Sequence, residues 1–268
     1  MANLPNSKLL DLTGKTVIVT GAVGIGFGIA SRLAEAGANV MVASLQEPEV
    51  TDSVGKLTAL GYKVKGVVVN VALEDDVKRM IDETVSAFGG IDILVNNAGI
   101  YPSVPIRQMT PADFDTVIAV NLRGVFLTTK YVSEKMIEQG KGGKIINISS
   151  IDALHPSSIG LAHYDASKHG VWGFTKNAAL ELSAHNIFVN AIAPGGILTE
   201  GTKKSQSSQP VVPSIDMQKV MEAFMAKIPM HRMGEPDDIG KVALFLASDM
   251  SSYMTGEQIV VDGGYLLS

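Results

Sequence analysis

A chain of 268 residues with 46% hydrophobic content is long enough to bury a sizeable core, and one α/β domain is the simplest reading. Its 22 basic residues are scattered among 27 acidic ones for a net charge of −5, with no basic run to neutralise a row of phosphates, which argues against nucleic acid. The absence of cysteine excludes disulfides, thiolate nucleophiles and Cys-ligated zinc, and suits a reducing compartment such as the cytoplasm. Met1 to Leu12 has no signal-peptide pattern, and no stretch approaches the roughly 20 apolar residues of a membrane helix, so neither processing nor a membrane is expected.

Lys15 to Thr20 is a β-branched run that leads into glycines, after which Ile29, Leu33 and Ala36 recur at helical spacing until Gly37. Further strands are predicted at Asn39 to Ala43, Lys63 to Val69 and Ile91 to Val95, with helices around 50–60 and 75–88 between them. Thr110-Pro111 starts a helix that runs towards Gln139, since a hydroxyl caps the first turn and proline suits its first position. Lys144 to Ser149 is a fifth strand. A helix from Tyr164 to Ala184, a strand from Ile187 to Ile192, a helix from Asp237 to Ala247 and a strand from Gln258 to Asp262 complete the order. Alternation of this kind predicts a doubly wound, seven-stranded parallel sheet with right-handed crossovers. Glu200 to Gln209 is polar and Pro210 and Pro213 follow it, ahead of a helical stretch near Met217 to Lys227; residues 198–230 read as a substrate lid.

Gly21, Gly24, Gly26 and Gly28 stand between the first strand and the first helix. There, backbone N–H groups and the helix N-terminus can approach a pyrophosphate, so a dinucleotide site is expected. An acidic residue ending the second strand would bind a ribose 2′-hydroxyl, and a nearby Arg would accommodate a 2′-phosphate; Ser44 and Leu45 are neither. With Glu47 and Glu49 following and no cation nearby, either NAD or NADP stays open with a lean towards NAD.

Tyr164 and Lys168 lie four apart on one face of a predicted helix. Hydride transfer to a carbonyl generates alkoxide character, and a phenol becomes a better acid near neutrality when an ammonium stabilises its phenolate. Lys168 is placed to lower the Tyr164 pKa in this way, and Ser150, ending the fifth strand, to hold the reacting oxygen.

These elements in this order resemble the short-chain dehydrogenase/reductase family, in the branch with subunits near 250 residues, over nearly the whole chain. The matching stretches are Thr20-Gly21 with its glycines, Asn96-Asn97-Ala98-Gly99, Asn121, Ser150, Tyr164 with Lys168, and Pro194-Gly195 with Thr199. The resemblance implies a Rossmann fold and an NAD(P)-dependent oxidoreductase acting on an alcohol or carbonyl. It further implies that Gly21, Gly24, Ile25, Gly26, Ser44, Asn70, Val71, Asn97, Ala98 and Gly99 line the cofactor. By the same resemblance, Asn96 with Ala98-Gly99 is expected to brace the sheet, Asn121 to help hold a proton-relaying water, and Lys168 to grip the nicotinamide ribose beside Tyr164. It implies, too, that Pro194, Gly195, Ile197 and Thr199 reach the nicotinamide, and that the subunits form a homotetramer through the helices near 111–139 and 164–184 and the last strand.

Three departures from the family pattern stand out. Gly21 and Gly24 enclose only Ala22 and Val23, one residue fewer than usual, so the pyrophosphate turn is tighter and Gly28 is a candidate to compensate. Asn70 stands where the family often has Asp. Ser150 precedes Tyr164 by one residue more than in many relatives, which leaves Ser149 as a second candidate serine.

No His-Glu-x-x-His spacing occurs among the five histidines, so no metal is expected. His155, His163 and Asp152 fall in the region expected to border the substrate. The methionines around 217–233 suit helix packing or an adaptable cover for an apolar substrate, and Asp113 and Asp115 suit the helix dipole. A small polyol, sugar or secondary alcohol is the favoured substrate; a carrier-linked 3-oxoacyl chain and a catalytically idle dinucleotide sensor are the alternatives.

Overall fold

The computed structural model describes residues 4–199 and 225–268. Seven parallel strands form one sheet in the order β3-β2-β1-β4-β5-β6-β7. They are β1 (Thr16–Thr20), β2 (Asn39–Ser44), β3 (Val64–Val68), β4 (Ile93–Asn96), β5 (Gly143–Ile148), β6 (Ile187–Pro194) and β7 (Gln258–Val261). The helices are a short α1 (Asn6–Leu9), α2 (Ile25–Glu35), α3 (Glu47–Ala59), α4 (Glu74–Phe88), α5 (Pro111–Ile118), α6 (Gly124–Gln139), α7 (Ala162–Leu182) and α8 (Pro236–Ala247). The doubly wound architecture expected from the alternation is present, with strand limits within two residues of those expected. Most of the segment expected as a lid, including Glu200 to Gln209 and nearly all of the Met217 to Lys227 stretch, lies outside the described residues.

Successive residues of the central strands enter opposite layers. Val17 and Val19 of β1 pack with Ile29 and Leu33 of α2 and Ile239 and Leu246 of α8, while Ile18 packs with Met80 of α4 and Met136 of α6. Both sheet faces are therefore covered, which is why the strands read as continuous apolar runs rather than alternating ones. The β1–β4 pairing is where strand order reverses, the position at which doubly wound sheets take ligands outside their carboxyl ends.

The single long helix expected from Pro111 to Gln139 is instead α5 and α6 joined by a π-helical turn, Ala119–Arg123, which contains Asn121. Such a turn inserts one extra residue per hydrogen-bonded ring and re-aims the side chains on it. The Thr110 hydroxyl does cap α5, accepting from the Asp113 N–H at 3.2 Å. Asp113 returns the contact to Thr110, as its place near a helix N-terminus favours.

A buried polar chain crosses the middle of the domain. The Thr128 hydroxyl on α6 donates to Asn96 of β4 at 2.6 Å, the Asn96 amide donates to Asn147 of β5 at 2.9 Å, and the Asn147 amide donates to Thr175 of α7 at 2.9 Å. Asn96 also donates to Thr129 at 3.1 Å. Bracing of the sheet by Asn96, which the family resemblance implies, is thus a set of satisfied hydrogen bonds between the helices that carry Asn121 and Tyr164.

Candidate active site and dinucleotide cleft

Every residue singled out from the sequence as a site residue falls at the carboxyl ends of the strands or on the helix turns beside them. Gly21 adopts φ +87°, and a Cβ there would stand 2.5 Å from the Asn97 amide nitrogen. A Cβ on Gly26 would fall 1.8 Å from the Gly21 carbonyl oxygen, and one on Gly24, at φ +56°, would press on Thr199 at 3.1 Å. The turn is a cradle that side chains would fill, set against the N-terminus of α2, so its free N–H groups suit a pyrophosphate. Asn97 holds the cradle from below, donating its main-chain N–H to the Thr20 hydroxyl at 3.0 Å and its amide to the Thr20 carbonyl at 2.9 Å. Ala98 N–H shares the same hydroxyl at 3.0 Å, a bracing role for Thr20 that sequence reasoning had not drawn. Gly28, expected to ease the tight turn, does other work: a Cβ there would meet the Pro236 carbonyl at 2.6 Å, so this glycine lets α2 and α8 pack closely.

Ser44 ends β2, and its hydroxyl donates to the Glu49 carboxylate of α3 at 2.9 Å. Asn70 follows β3, with its main-chain N–H bound to Asp76 at 2.8 Å and its side-chain oxygen accepting from Ala72 at 3.0 Å. Val71 is buried against Gly124 at the start of α6, and Ile25 is half-buried against the α2 core. Past β6, Gly195 donates to Val261 at 2.9 Å and a Cβ on it would strike Asp262 at 2.7 Å, so Pro194-Gly195 turns tightly over β7. Ile197 is buried and bridged to Gly234, which carries Thr199 back onto the glycine cradle.

Tyr164 and Lys168 project together from the start of α7, with the Lys168 ammonium 5.6 Å from the centre of the Tyr164 ring. Lys168 is 5% exposed and donates to the Ile148 carbonyl at the end of β5, at 2.8 Å. Burial pulls its pKa down to about 8, and the nearby Asp152 carboxylate acts the other way. The expectation that Lys168 makes the phenol a stronger acid is not what this structure displays: burial pushes the Tyr164 phenol well above its ordinary value, and the charge of Asp152 adds to the rise. Desolvation of the phenolate outweighs a cation held over the ring and already bound to a carbonyl.

The two serines part company here. Ser150 lies on the Tyr164 side, where its side chain acts to lower the phenol pKa, while Ser149 turns inward and donates to the Lys168 carbonyl at 3.3 Å. Asn121 uses both amide donors on protein, to the Ile100 carbonyl at 2.9 Å and the Ser167 hydroxyl at 3.1 Å, and its oxygen accepts from Ile100 N–H at 2.8 Å. Its side chain therefore staples the loop after β4, and those donors are not available to the relay water expected of it. Gly99 lies between this amide and Lys168, where a Cβ would approach them to 3.3 and 3.7 Å.

His163 is fully buried; its Nδ1 accepts the Tyr164 main-chain N–H at 2.9 Å, and its Nε2 meets no partner among the described residues. It supports the first turn of α7 rather than facing solvent. His155 lines a cavity of about 350 Å³ with Leu154, Lys227, Tyr265, Leu266 and Ser268, where the chain end packs on the loop after Ser150. Tyr101, not singled out from the sequence, stands edge-on to Tyr164 with ring centres 6.1 Å apart. Among the described residues no cluster of His, Asp or Glu could hold a metal, and no helix is long and apolar enough to cross a membrane.

With this geometry in view, comparison with known proteins is specific. The family model described as enoyl-(acyl carrier protein) reductase matches residues 21–266. The 3-oxoacyl-[acyl-carrier-protein] reductase FabG of Thermotoga maritima is 40% identical over 96% of this chain and 100% of its own length. The 2-dehydro-3-deoxy-D-gluconate 5-dehydrogenase of Escherichia coli is 38% identical over 96% and 97%. Among solved structures, a putative 2-deoxy-D-gluconate 3-dehydrogenase from Agrobacterium tumefaciens, with bound NADP, superposes with a TM-score of 0.86 at 34% identity, covering 97% of this chain and 99% of that one. The chain belongs to the short-chain dehydrogenase/reductase family. It is an oxidoreductase that works with NAD or NADP on an alcohol or carbonyl group.

Proposed function

We propose that the chain interconverts a secondary alcohol of a small polyol or sugar-derived acid with its ketone, using Tyr164 as the proton-transfer group. The observation that carries this reading is the convergence of Tyr164, Lys168 and Ser150 beside the glycine cradle. A bound nicotinamide supplies the hydride acceptor or donor. Tyr164 takes or gives the hydroxyl proton of the same carbinol, Ser150 orients its oxygen, and Lys168 holds a positive charge beside the phenol ring. Asn121 holds Ile100 and the loop that borders this cluster. Gluconate-type relatives support the polyol and carrier-protein reductases the carrier-linked acyl chain; the absence of a basic run in the sequence, which an acidic carrier would dock on, favours the polyol. Screening polyols, sugar acids, simple secondary alcohols and 3-oxoacyl thioesters by reduced-nicotinamide absorbance tests the reading: turnover of thioesters alone would replace it, and turnover of nothing would end it.

NAD is the cofactor we favour. The support is Glu49, whose carboxylate the Ser44 hydroxyl holds at the end of β2, where it can accept from a 2′-hydroxyl and would repel a 2′-phosphate. NADH is therefore expected to bind more tightly than NADPH by fluorescence titration. Glu49→Gln should narrow that gap about tenfold, and tighter NADPH binding in the wild type would refute the assignment.

A homotetramer and a cytoplasmic location complete this reading. The first is supported by exposed apolar side chains on the helices and strand that relatives would pair, Phe126 and Ile137 of α6, Leu180 of α7 and Val260 of β7. A single-subunit molar mass by light scattering would contradict it. The second is supported by the cysteine-free composition.

A further inference from the structure

Tyr101 is held at the catalytic cluster from both sides of its own backbone. The residue before it, Ile100, is gripped by Asn121, whose side-chain oxygen accepts the Ile100 N–H at 2.8 Å and whose amide donates to the Ile100 carbonyl at 2.9 Å. The residue after it is Pro102, which confines Tyr101 to extended backbone. Two residues further on, the Val104 N–H donates to the Gly160 carbonyl at 2.9 Å, on the loop that leads into α7. Between these anchors the Tyr101 ring stands edge-on to Tyr164 with centres 6.1 Å apart, close enough that charge on Tyr101 would oppose ionisation of Tyr164. Tyr101 is 42% exposed, and its hydroxyl meets no protein partner among the described residues. Partial burial raises its pKa, so this hydroxyl keeps its proton near neutrality and is a ready donor.

We propose that Tyr101 is a specificity-determining residue that donates a hydrogen bond to a hydroxyl on the carbon next to the reacting one, which makes the site selective for vicinal diols and the hydroxyketones formed from them. A substrate whose reacting oxygen lies at the Tyr164 phenol carries its neighbouring oxygen a short way to one side, and Tyr101 is the phenol standing beside Tyr164. The reacting hydroxyl exchanges its proton with Tyr164 while the neighbouring hydroxyl accepts from Tyr101, so no hydrogen is used twice. A simple secondary alcohol would cover the Tyr101 hydroxyl with C–H groups and strip its water without replacing it. Oxidation leaves the neighbouring hydroxyl in place, so the same contact serves both redox partners and acts on binding rather than on the chemical step. The inference rests on the site assignment above and adds to it the group that the substrate must carry beside the reacting carbon.

The probes are cis- and trans-cyclohexane-1,2-diol against cyclohexanol, which differ by one hydroxyl, with sorbitol as an open-chain polyol. In the intact enzyme with its cofactor, the better diol should show a lower KM than cyclohexanol. Tyr101→Phe keeps the ring against Tyr164 and removes the donor. It should raise KM for the diol and sorbitol about fivefold, the size of one neutral hydrogen bond, with the change carried by KM rather than kcat. KM for cyclohexanol should not rise. A KM for the diol and sorbitol that is the same in wild type and Tyr101→Phe would overturn the inference, as would a rise shared equally by cyclohexanol, which would make Tyr101 a structural residue only. Turnover of neither diols, sorbitol nor cyclohexanol, or undiminished turnover in Tyr164→Phe, would instead bring down the site assignment itself and this inference with it.

Discussion

Tyr164→Phe is expected to lower turnover a hundredfold or more, about 3 kcal/mol of transition-state stabilisation, while leaving the dissociation constant of NADH unchanged. The substitution keeps the ring that packs edge-on against Tyr101 and under the Lys168 ammonium, and removes only the hydroxyl. Proton transfer then has to pass through water or another group, while the glycine cradle and the Asn97 brace are untouched. Steady-state rates together with a fluorescence titration separate the two effects. Ordinary turnover in this variant would remove Tyr164 from the mechanism.

Lys168→Met is expected to abolish turnover to a similar degree and to change how stability depends on pH. The substitution removes a positive charge from beside a phenol that burial already holds well above its ordinary value, with the Ser150 side chain acting the other way. On stability, the sign is set by a folded pKa of about 8 against an unfolded one of 10.5. Below pH 8 both states carry the proton, and the folded state bears a desolvation cost of about 3 kcal/mol. Between pH 8 and 10.5 the unfolded chain binds the proton more tightly, so the contribution of this lysine rises with pH until the cost is gone. Denaturant unfolding across that interval should show the rise in the wild type and lose it in Lys168→Met. A slope unaltered by the substitution would mean that Lys168 titrates normally.

The strands and the outline of the site were legible because both depend on local pattern. Continuous apolar runs such as Val17 to Val19 announce strands buried on both faces, and the spacing of Tyr164 and Lys168 places them on one helical face whatever surrounds them. What the pattern could not convey were quantities set by distant neighbours. The rise at Tyr164 comes from burial, with the charge of Asp152 adding to it, and neither is conveyed by the spacing of a cation and a phenol on one helix. Gly28 belongs to the cradle by sequence and to the α2–α8 contact by structure, because Pro236, more than two hundred residues away, is what it touches. The π turn at Asn121 looks like ordinary helix, since the amphipathic repeat survives one extra residue. Between Ser149 and Ser150, spacing alone left the choice open, and the twist of the chain past β5 separates them, one towards the phenol and one into the α7 backbone.

The hydrogen-bonded row from Thr128 through Asn96 and Asn147 to Thr175 acts as a register lock. Sliding α7 by one residue along the sheet would leave an asparagine amide facing hydrocarbon, at roughly 1–3 kcal/mol for each stranded group, whereas a purely aliphatic contact would tolerate the slip. The helix bearing the phenol and the helix bearing the loop staple are thereby held in a single alignment, so alternative packings of this interior are disfavoured even where their apolar contacts would be equally good.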